Sequence, residues 1–467
     1  MKRTAVLNVV GLTPGLLGPH TPKISSFVQR GALAHVSPAF PAVTCTAQSN
    51  YLTGTHPSQH GIVANGWYNR DLAEVHFWKQ SNALVHGHKI WDELRELDSR
   101  FTCAKLFWWY NMYSTADWSI TPRPMYPADG RKFFDIYAWP QGLASQIKAD
   151  LGDFPFATFW GPAAGVTSPQ GSRDAASRWI ARAAQWIEDK HSPTLNLVYL
   201  PHLDYNLQRV GPADPAIAQD LREIDAIVGD LIDSFEKRGV QVVILSEYGI
   251  TAVDTPVHLN RLFRQCGWLD IKEELGRELI NFGASQAFAV ADHQVAHIYL
   301  KDRTVESKVR QALEGCAGVE KVLGPAEKKA AGLDHPRSGD LIAVARKNCW
   351  FTYYYWLEDG RAPDFARCVD IHRKPGYDPV ELFLDPKIPA VKLKIAWRLL
   401  QKKLGFRMLM DVIPLDASLV RGSHGRLSEN PADGPLFISP RADLVRGKSI
   451  SSTDVYPLLK QHILTTG

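Results

Sequence analysis

The fold is decided by one stretch of the sequence: Phe40-Pro-Ala-Val-Thr44-Cys-Thr46-Ala-Gln-Ser-Asn50-Tyr-Leu-Thr53-Gly54-Thr-His-Pro57-Ser-Gln-His60-Gly61-Ile-Val-Ala-Asn65-Gly66. Several residue types stand in it at fixed offsets. A Thr-Gly pair follows Thr44 after nine residues, and a proline, a His-Gly-Ile run and Asn65 come next. Because the pattern extends over about 25 residues, it is far more specific than a single short motif.

This stretch resembles the nucleophile loop and helix of the type I phosphodiesterase/nucleotide pyrophosphatase family, a branch of the alkaline phosphatase superfamily. The resemblance implies that Thr44 opens a helix and attacks phosphorus, and that Asn65 donates to a phosphate oxygen. At a helix N-terminus, free backbone N–H groups and the helix dipole favour a phosphate and an alkoxide. The alternative is that Thr44 only caps the helix. Thr46, also near the helix start, is a second candidate nucleophile.

Three short apolar runs bounded by turn residues are typical of buried parallel strands: Ala5–Val10, Leu195–Leu200 and Val240–Leu245. Between the last two, Ala216–Lys237 carries apolar residues at helical spacing. This order predicts a right-handed strand–helix–strand unit. We therefore expect an α/β fold with a doubly wound, mostly parallel sheet and helices on both faces, an alkaline-phosphatase-like core. Its chemistry is expected beyond the carboxyl ends of the strands.

A second region is predicted to form a small α+β cap inserted in that core. It combines one predicted helix with four predicted strands: Glu306–Glu314, and Ala296–Leu300, Val319–Leu323, Asp340–Arg346 and Trp350–Trp356. The predicted boundaries are residues 1–250 and 410–467 for the catalytic core and residues 255–405 for the cap.

The resemblance also implies a two-zinc centre, of which this sequence keeps only part. The retained ligands are Asp204, Glu247 and His424. The family's remaining aspartate and two histidines are replaced by Val10, Gln208 and Tyr248. Zinc prefers imidazole, thiolate and carboxylate ligands, so two full zinc sites cannot be built from these residues.

A reduced metal site is therefore expected. Asp204, Gln208 and His424 would hold one divalent ion, with zinc as the expected metal, and Glu247 would bridge toward it. The alternative is that no ion is held. Other polar side chains predicted near the strand ends are possible replacement ligands: Asn8, His202, Asp292 and His293. The prediction for His202 assumes that its strand continues through Pro201.

Candidate substrate contacts come from two places in the chain. Trp67 and Tyr68 follow Asn65 closely and are expected to line the mouth of the site. Arg373 and Lys374 lie beside a turn, where their charges suit recognition of an anion. The alternative for this second pair is a solvated loop.

Composition restricts the partners. The chain has 467 residues and a formal net charge of +4, which gives no support for a nucleic-acid partner. No apolar run reaches the roughly 18 residues of a membrane span, so no membrane partner is expected. The six cysteines are scattered without a Cys-x-x-Cys pair, and the N-terminal apolar run is too short for a signal peptide. A cytoplasmic location is therefore predicted; the oligomeric state is not.

The leading functional hypothesis is hydrolysis or transfer at a phosphorus ester of the phosphodiester or pyrophosphate type, through a phosphothreonine at Thr44. The partner would be a small phosphorylated substrate. The alternative is a catalytically silent or repurposed member of the family that binds a phosphorylated or sulfated ligand. A third hypothesis is a metal-free transferase with His202 or His424 as base. The sequence does not specify the type of ester.

Overall fold

The computed structural model describes residues 1–166, 172–445, 447 and 449–465. Within these residues the strands are β1 Thr4–Val9, β2 Ala32–Ser37, β3 Gly66–Asn69, β4 Glu74–Phe77, β5 Cys103–Leu106, β6 Trp118–Met125, β7 Phe133–Trp139, β8 Leu195–Leu200, β9 Gln241–Leu245, β10 Thr251–Ala252, β11 Thr255–Val257, β12 Ile271–Glu274, β13 Arg277–Ile280, β14 Ala287–Asp292, β15 Val295–Leu300, β16 Val319–Leu323, β17 Leu341–Ala345, β18 Cys349–Phe351, β19 Gly422–Ser423, β20 Leu436–Ser439 and β21 Ser449–Ser451.

The helices that connect and cover these strands are α1 Pro22–Gln29, α2 Thr44–Thr53, α3 Pro57–His60, α4 Ile90–Leu97, α5 Leu143–Leu151, α6 Ala175–His191, α7 His202–Arg209, α8 Ile217–Lys237, α9 Leu259–Gln265, α10 Glu306–Glu314, α11 Pro325–Ala330, α12 Val391–Lys403 and α13 Val455–Leu464.

A nine-stranded sheet in the order β21-β2-β20-β9-β1-β8-β5-β6-β7 forms the centre of the molecule. Its middle strands β9, β1, β8, β5 and β6 are parallel. In β1, Val6 is paired with Leu197 on one side and with Val243 on the other. Every residue of β1 and β8 is buried, which explains why both strands are continuous apolar runs.

Helices pack against this sheet in two groups. On one face α8 packs against α1 and α6, and on the other α13 packs against α2 and α4. The apolar residues at helical spacing in α8 all lie in the main hydrophobic core. The predicted α/β class, with helices on both faces of a mostly parallel sheet, is confirmed.

A second, antiparallel sheet has the order β14-β15-β17-β16 and its own hydrophobic core. Helix α10 packs against β16. The turn between β14 and β15 contacts the segment that follows β19, because the backbone N–H of Gln294 donates to the carbonyl of His424 at 2.8 Å. The division of the chain into a core and an inserted cap stays a prediction.

One predicted strand is wrong over most of its length. The run Trp350–Trp356 is in a strand only up to Phe351. Beyond it, the three consecutive tyrosines Tyr353–Tyr355 are all buried. A strand sends alternate side chains to opposite faces. Here the chain instead winds so that every ring packs into the second core. The other predicted strands and helices are confirmed to within one residue at each end.

Within the described residues, no helix combines the length and the apolar character that crossing a membrane requires.

Candidate functional site

Helix α2 places Thr44 next to Tyr248, which follows strand β9. Val43 before it is extended and Thr44 is the first helical residue, so the side chain of Thr44 stands at the helix N-terminus. Thr44 is only 3% exposed, and its hydroxyl lies 3.1 Å from the phenol oxygen of Tyr248. Thr46 is fully buried and its hydroxyl donates to the carbonyl of Ile62 at 3.2 Å. The geometry therefore favours Thr44 over Thr46 as the reactive hydroxyl.

A chain of hydrogen bonds leads away from Thr44 through side chains at two strand ends. The Tyr248 hydroxyl donates to Oδ1 of Asp204 at 3.1 Å. Nε2 of Gln208, one turn later on α7, donates to the other carboxylate oxygen at 2.7 Å. The hydroxyl of Tyr377 donates in turn to Oε1 of Gln208 at 3.0 Å. Because Tyr248 gives its one proton to Asp204, its oxygen accepts the proton of the Thr44 hydroxyl.

Asp204 is a buried carboxyl whose pKa lies near neutral pH. Burial raises the pKa of its carboxyl to about 7. Hydrogen bonds from Tyr248 and Gln208 favour the charged form and lower the pKa, but their effect is smaller than that of burial. A general base works best when its pKa lies near the working pH. The Thr44–Tyr248–Asp204 relay can therefore take up the proton that an attacking Thr44 must lose.

Glu247, at the end of β9, forms a second buried acid beside Thr44. Asn8 and Gln48 both donate to its Oε1 at 2.6 Å. Its Oε2 has no hydrogen-bond partner among the described residues. Burial raises the pKa of Glu247 to about 8, so this carboxyl is largely neutral at pH 7.

The raised pKa of Glu247 predicts a pH-dependent stability. Between about pH 4.5 and pH 8 the folded chain keeps a proton that the unfolded chain releases, so the free energy of unfolding falls as the pH rises. Glu247→Gln removes this titration and keeps an oxygen acceptor for Asn8 and Gln48. We expect the free energy of unfolding of Glu247→Gln, relative to that of wild type, to increase by on the order of 3 kcal/mol between pH 5 and pH 8. Denaturant titrations at both pH values measure it. Parallel pH curves for the two proteins would contradict this assignment.

The turn between β14 and β15 brings Asp292 and His293 to the helix of the nucleophile. The two oxygens of Asp292 accept from the backbone N–H of Asn65 at 2.8 Å and from its side-chain amide at 3.1 Å. Asp292 also lies 2.7 Å from Nδ1 of His293. The Asn65 oxygen accepts from the backbone N–H of Cys45 at 3.0 Å. Both ends of the Asn65 amide are thus engaged within the protein, and burial raises the pKa of Asp292 to about 6.

His293 is held in an unusual conformation. Its φ of 62° lies in the left-handed region, which costs a residue other than glycine some backbone energy. Burial moves the pKa of this imidazole well below its ordinary value, so it is neutral. Its Nε2 has no hydrogen-bond partner among the described residues. A buried, neutral imidazole with a free ring nitrogen beside Asp292 can accept a hydrogen bond or bind a ligand.

Four stacked rings fill the space between these groups. The ring of Tyr248 lies on His424 with centroids 3.6 Å apart, His424 lies 3.7 Å from His293, and His293 lies 3.5 Å from Tyr377. Nδ1 of His424 is 2.8 Å from the carbonyl of Ala42, so that nitrogen carries the proton and donates. Burial keeps the pKa of His424 well below its ordinary value.

These residues do not fit a two-zinc centre. Tyr248 stands between two of the predicted ligands, because its hydroxyl binds Asp204 and its ring covers a face of His424. In the described part of the chain, one group of three or more His, Cys, Asp and Glu side chains has ligand atoms within 4.8 Å of one another, and Asp204, Glu247 and His424 are not in it. A single ion on Asp204, Gln208 and His424 stays a prediction.

That group consists of His202, Asp220 and Glu223, away from Thr44. β8 ends at Leu200 and His202 begins α7, so the predicted continuation of the strand through Pro201 is wrong. The helical turn directs His202 toward α8, where its Nε2 lies 3.0 Å from Glu223. Arg173 already pairs with Asp220. His202 thus faces Asp220 and Glu223 on α8. The side-chain amide of Asn8 donates to Glu247, and its oxygen has no hydrogen-bond partner among the described residues, so its role as a replacement ligand stays a prediction.

The predicted substrate contacts are mostly engaged within the protein. Lys374 is buried, and its amine lies 2.7 Å from both Asp378 and Glu381, so its charge is neutralised inside the fold and does not meet an anion. Arg373 is exposed and lies 3.4 Å from Asp364. The other two predicted residues also pack within the protein. Trp67 lies beneath the guanidinium of Arg337. Tyr68 packs edge-on against Phe288 and Tyr299.

Two polar residues of the site were not predicted. Gln48 lies one helical turn after Thr44, and spacing along α2 would place both on one face. Its carbonyl oxygen also accepts from the backbone of Trp109 at 2.7 Å. Tyr377 lies in a loop far along the chain, where no periodic pattern indicates that it reaches Gln208.

Comparison with known proteins finds similar sequences. Residues 4–378 match the family model described as type I phosphodiesterase/nucleotide pyrophosphatase. An uncharacterised pyrophosphatase/phosphodiesterase of Schizosaccharomyces pombe is 24% identical over 258 residues, which cover 54% of this chain and 43% of the relative. The chain thus spans less than half the length of this relative.

Solved structures show the same fold at low sequence identity. Phosphonoacetate hydrolase of Sinorhizobium meliloti 1021, in complex with phosphonoformate, matches with a TM-score of 0.62 at 14% identity, over 99% of this chain and 95% of the other. An inactive variant of murine ectonucleotide pyrophosphatase/phosphodiesterase 5, in complex with AMP, matches with a TM-score of 0.57 at 15% identity, over 99% and 95% of the two chains.

Proposed function

Since the chain belongs to the type I phosphodiesterase/nucleotide pyrophosphatase family, a family of phosphoester hydrolases, we propose that it cleaves or transfers at a phosphorus ester through a covalent intermediate on Thr44. One observation carries the proposal. The Thr44 hydroxyl stands at the N-terminus of α2 and is hydrogen-bonded to Tyr248, which is hydrogen-bonded to Asp204. The proposed nucleophile is thus connected to the proposed base by two consecutive hydrogen bonds.

The proposed first step forms a bond between the Thr44 oxygen and phosphorus and breaks the bond from phosphorus to the leaving oxygen. The Thr44 proton passes to Tyr248 while the Tyr248 proton passes to Asp204. The leaving oxygen departs as an anion. In the second step water attacks phosphorus and loses one proton to solvent, which balances the proton that the leaving oxygen takes up. The bond from phosphorus to Thr44 breaks, and the proton held by Asp204 returns through Tyr248 to the Thr44 oxygen. The positive end of the α2 dipole stabilises the phosphoryl charge during both steps.

The substrate is proposed to enter beside Tyr377. A small cleft is lined by Trp78, Trp160 and Tyr377, and by Lys374 with the two carboxylates, Asp378 and Glu381, that balance its charge. Tyr377 forms its inner end and is also the outermost ring of the stack on His293. Rotation of Tyr377 away from His293 would expose the free Nε2 of His293 and the carboxylate of Asp292 behind it. The proposed substrate is a small phosphorylated molecule, of the kind that both solved relatives hold as AMP or phosphonoformate.

A second candidate function is binding without turnover of a phosphorylated or sulfated ligand. The observation that favours it is the stack of rings at the place predicted for metal ligands, together with the engagement of Asn65 by Asp292. Turnover of an activated diester such as bis(nitrophenyl) phosphate distinguishes hydrolysis from binding alone. We expect release of nitrophenol above the uncatalysed rate. Saturable binding of phosphate or sulfate without any turnover would favour the binder.

Metal content gives an independent prediction. The family uses divalent metal ions, and zinc is the ion we propose for this chain if one is held. Because Val10, Gln208 and Tyr248 supply no imidazole or carboxylate, we expect at most one tightly held ion per chain by elemental analysis of the purified protein. Two zinc ions per chain would show that other side chains complete the centre and would overturn the description of this site.

A cytoplasmic location remains part of the proposal. It is supported by the six cysteines, all of them described and none in a disulfide, as expected in a reducing compartment.

A further inference from the structure

Helix α12 presents an apolar stripe to solvent. Leu393, Trp397, Leu400 and Leu404 recur at offsets of four, three and four residues, which is one face of a helix. These four side chains are 73%, 57%, 45% and 64% exposed, and no residue of α12 is buried. A surface helix of a globular protein normally turns such a stripe toward the core. For this stripe of α12 the orientation is reversed, while two other apolar residues of the helix, Val391 and Ile395, pack against the second core.

Ion pairs hold the helix in this reversed orientation. On the face opposite the stripe, Lys394 lies 2.8 Å and Arg398 lies 3.2 Å from the carboxylate of Asp411. The amine of Lys394 also donates to the backbone carbonyl of Asp411 at 2.9 Å. The face of α12 that carries these ion pairs, together with Val391 and Ile395, is thus fixed to the protein, and the exposed stripe is directed outward.

The tip of the β6–β7 hairpin extends the apolar surface. Phe133 and Phe134 are exposed, and the amine of Lys402 lies over their rings at 5.9 Å and 5.5 Å from the centroids. The guanidinium of Arg407 donates to the carbonyl of Asp129 in the same hairpin at 2.9 Å. We call the exposed stripe of α12 together with the two phenylalanines the apolar patch. A contiguous patch of this kind on a soluble fold marks a surface for a partner.

The charge around the apolar patch indicates the partner. Residues 386–410 contain seven Lys and Arg residues and no Asp or Glu, in a chain whose net charge is only +4. Lys392 and Lys403 flank the stripe and form no ion pair within the part of the chain that the structure describes. Apolar residues bordered by lysines are the pattern of helices that lie in the interface of an anionic membrane.

A second copy of the chain suits this surface poorly. In a two-fold dimer the same patch meets itself, so the lysines around one stripe would face the lysines around the other. No acidic residue of the 386–410 segment is available to offset that repulsion. An anionic partner removes the repulsion and covers the apolar stripe at the same time.

We propose that the apolar patch docks on the surface of an anionic phospholipid bilayer, with α12 lying in the plane of the interface. The thirteen residues of α12 measure about 20 Å, too short for the roughly 30 Å of a hydrocarbon core. The helix therefore lies on the bilayer and does not span it. The sequence contains no segment long enough to span a membrane, and on that ground no membrane partner was predicted. Helix α12 lies outside residues 4–378, which match the family model. The proposal is independent of the phosphoryl chemistry at Thr44.

Sedimentation with lipid vesicles tests the proposal on the full chain. We expect binding to vesicles of phosphatidylcholine mixed with phosphatidylglycerol, weak binding to phosphatidylcholine alone, and release from the mixed vesicles as salt is raised. Leu393→Ser with Trp397→Ser should weaken binding by about tenfold or more, and Lys392→Gln with Lys403→Gln should weaken it mainly at low salt. The side chains substituted in these two variants are all exposed, so the melting temperature of each variant should equal that of wild type.

A matched control is Leu275→Ser, which changes an exposed leucine outside the apolar patch and should bind vesicles as wild type does. Failure of the wild-type chain to bind mixed vesicles overturns the proposal. So does equal binding by wild type and the Leu393→Ser, Trp397→Ser variant. If light scattering shows a dimer that this variant converts to a monomer, and no vesicles are bound, a second copy covers the apolar patch instead.

Discussion

Thr44→Ala is expected to abolish turnover of a nitrophenyl phosphodiester while the protein stays folded. Loss of an attacking hydroxyl in covalent catalysis lowers kcat by roughly 10³-fold or more. The stability cost should be small, because the Thr44 side chain makes one hydrogen bond, to Tyr248, and the helix has no side-chain cap at its N-terminus. The measurements are kcat with the nitrophenyl ester and the melting temperature of the same preparation.

Thr46→Val is the matched control for Thr44. It removes the hydroxyl of the other threonine in the same helical turn and keeps a branched side chain of similar size. Because the Thr46 hydroxyl is bound to the carbonyl of Ile62, we expect a loss of stability of about 1 kcal/mol with kcat nearly retained. A folded Thr44→Ala protein with full activity, or loss of activity only in Thr46→Val, would overturn the assignment of the nucleophile.

Tyr248→Phe is expected to have the second largest effect on activity. The phenylalanine ring can keep its place on His424, while Thr44 loses its hydrogen-bond acceptor and Asp204 loses a donor. Removal of a positioned proton-transfer group lowers kcat by about 10²- to 10⁴-fold. The loss of a hydrogen bond that favours the charged carboxylate also raises the pKa of Asp204 further above about 7.

The pH dependence of kcat/KM checks this account of Tyr248. Since Asp204 must be ionised to act as a base, wild-type activity should rise with pH around a midpoint near 7, and any residual activity of Tyr248→Phe should rise at higher pH. Tyr377→Phe serves as the control, because it removes a hydroxyl bound to Gln208 and leaves Thr44 and Asp204 in contact with Tyr248. Unchanged kcat and pH dependence in Tyr248→Phe would show that the proton leaves Thr44 by another route.

Most of the core fold is predictable from the sequence. The central strands β1, β8 and β9 are buried on both faces, so each appears as an uninterrupted apolar run with polar residues directly after it. The amphipathic helix α8 shows the helical period clearly because one side packs on the sheet and the other faces solvent. Strands β20 and β21, on one side of the sheet, are short and lack such a pattern, and they were not predicted.

The candidate site was only partly predictable. The spacing from Thr53-Gly54 back to Thr44 places the nucleophile on a single helix, where sequence distance determines position in space. The surroundings of Thr44 come instead from contacts between distant segments. Asp292 and His293 reach it on the turn of a second sheet, and Tyr377 reaches it from a loop. Sequence spacing contains no information about these contacts.

The side chain of Tyr248 shows why residue substitution alone could not describe the site. Judged by its position, Tyr248 is a lost histidine ligand. In the structure Tyr248 makes specific contacts of its own: its hydroxyl lies between Thr44 and Asp204, and its ring stacks on His424. The residue that stands where the family has a histidine thus forms hydrogen bonds with both Thr44 and Asp204.

The most direct test of the central claim is mass spectrometry of the protein quenched during turnover of a nitrophenyl phosphodiester. The account predicts an adduct with the mass of the phosphoryl half of the substrate, located on the peptide that contains Thr44, formed at least as fast as steady-state turnover and absent from Thr44→Ala. Turnover without any adduct, or an adduct on a peptide that lacks Thr44, would contradict it.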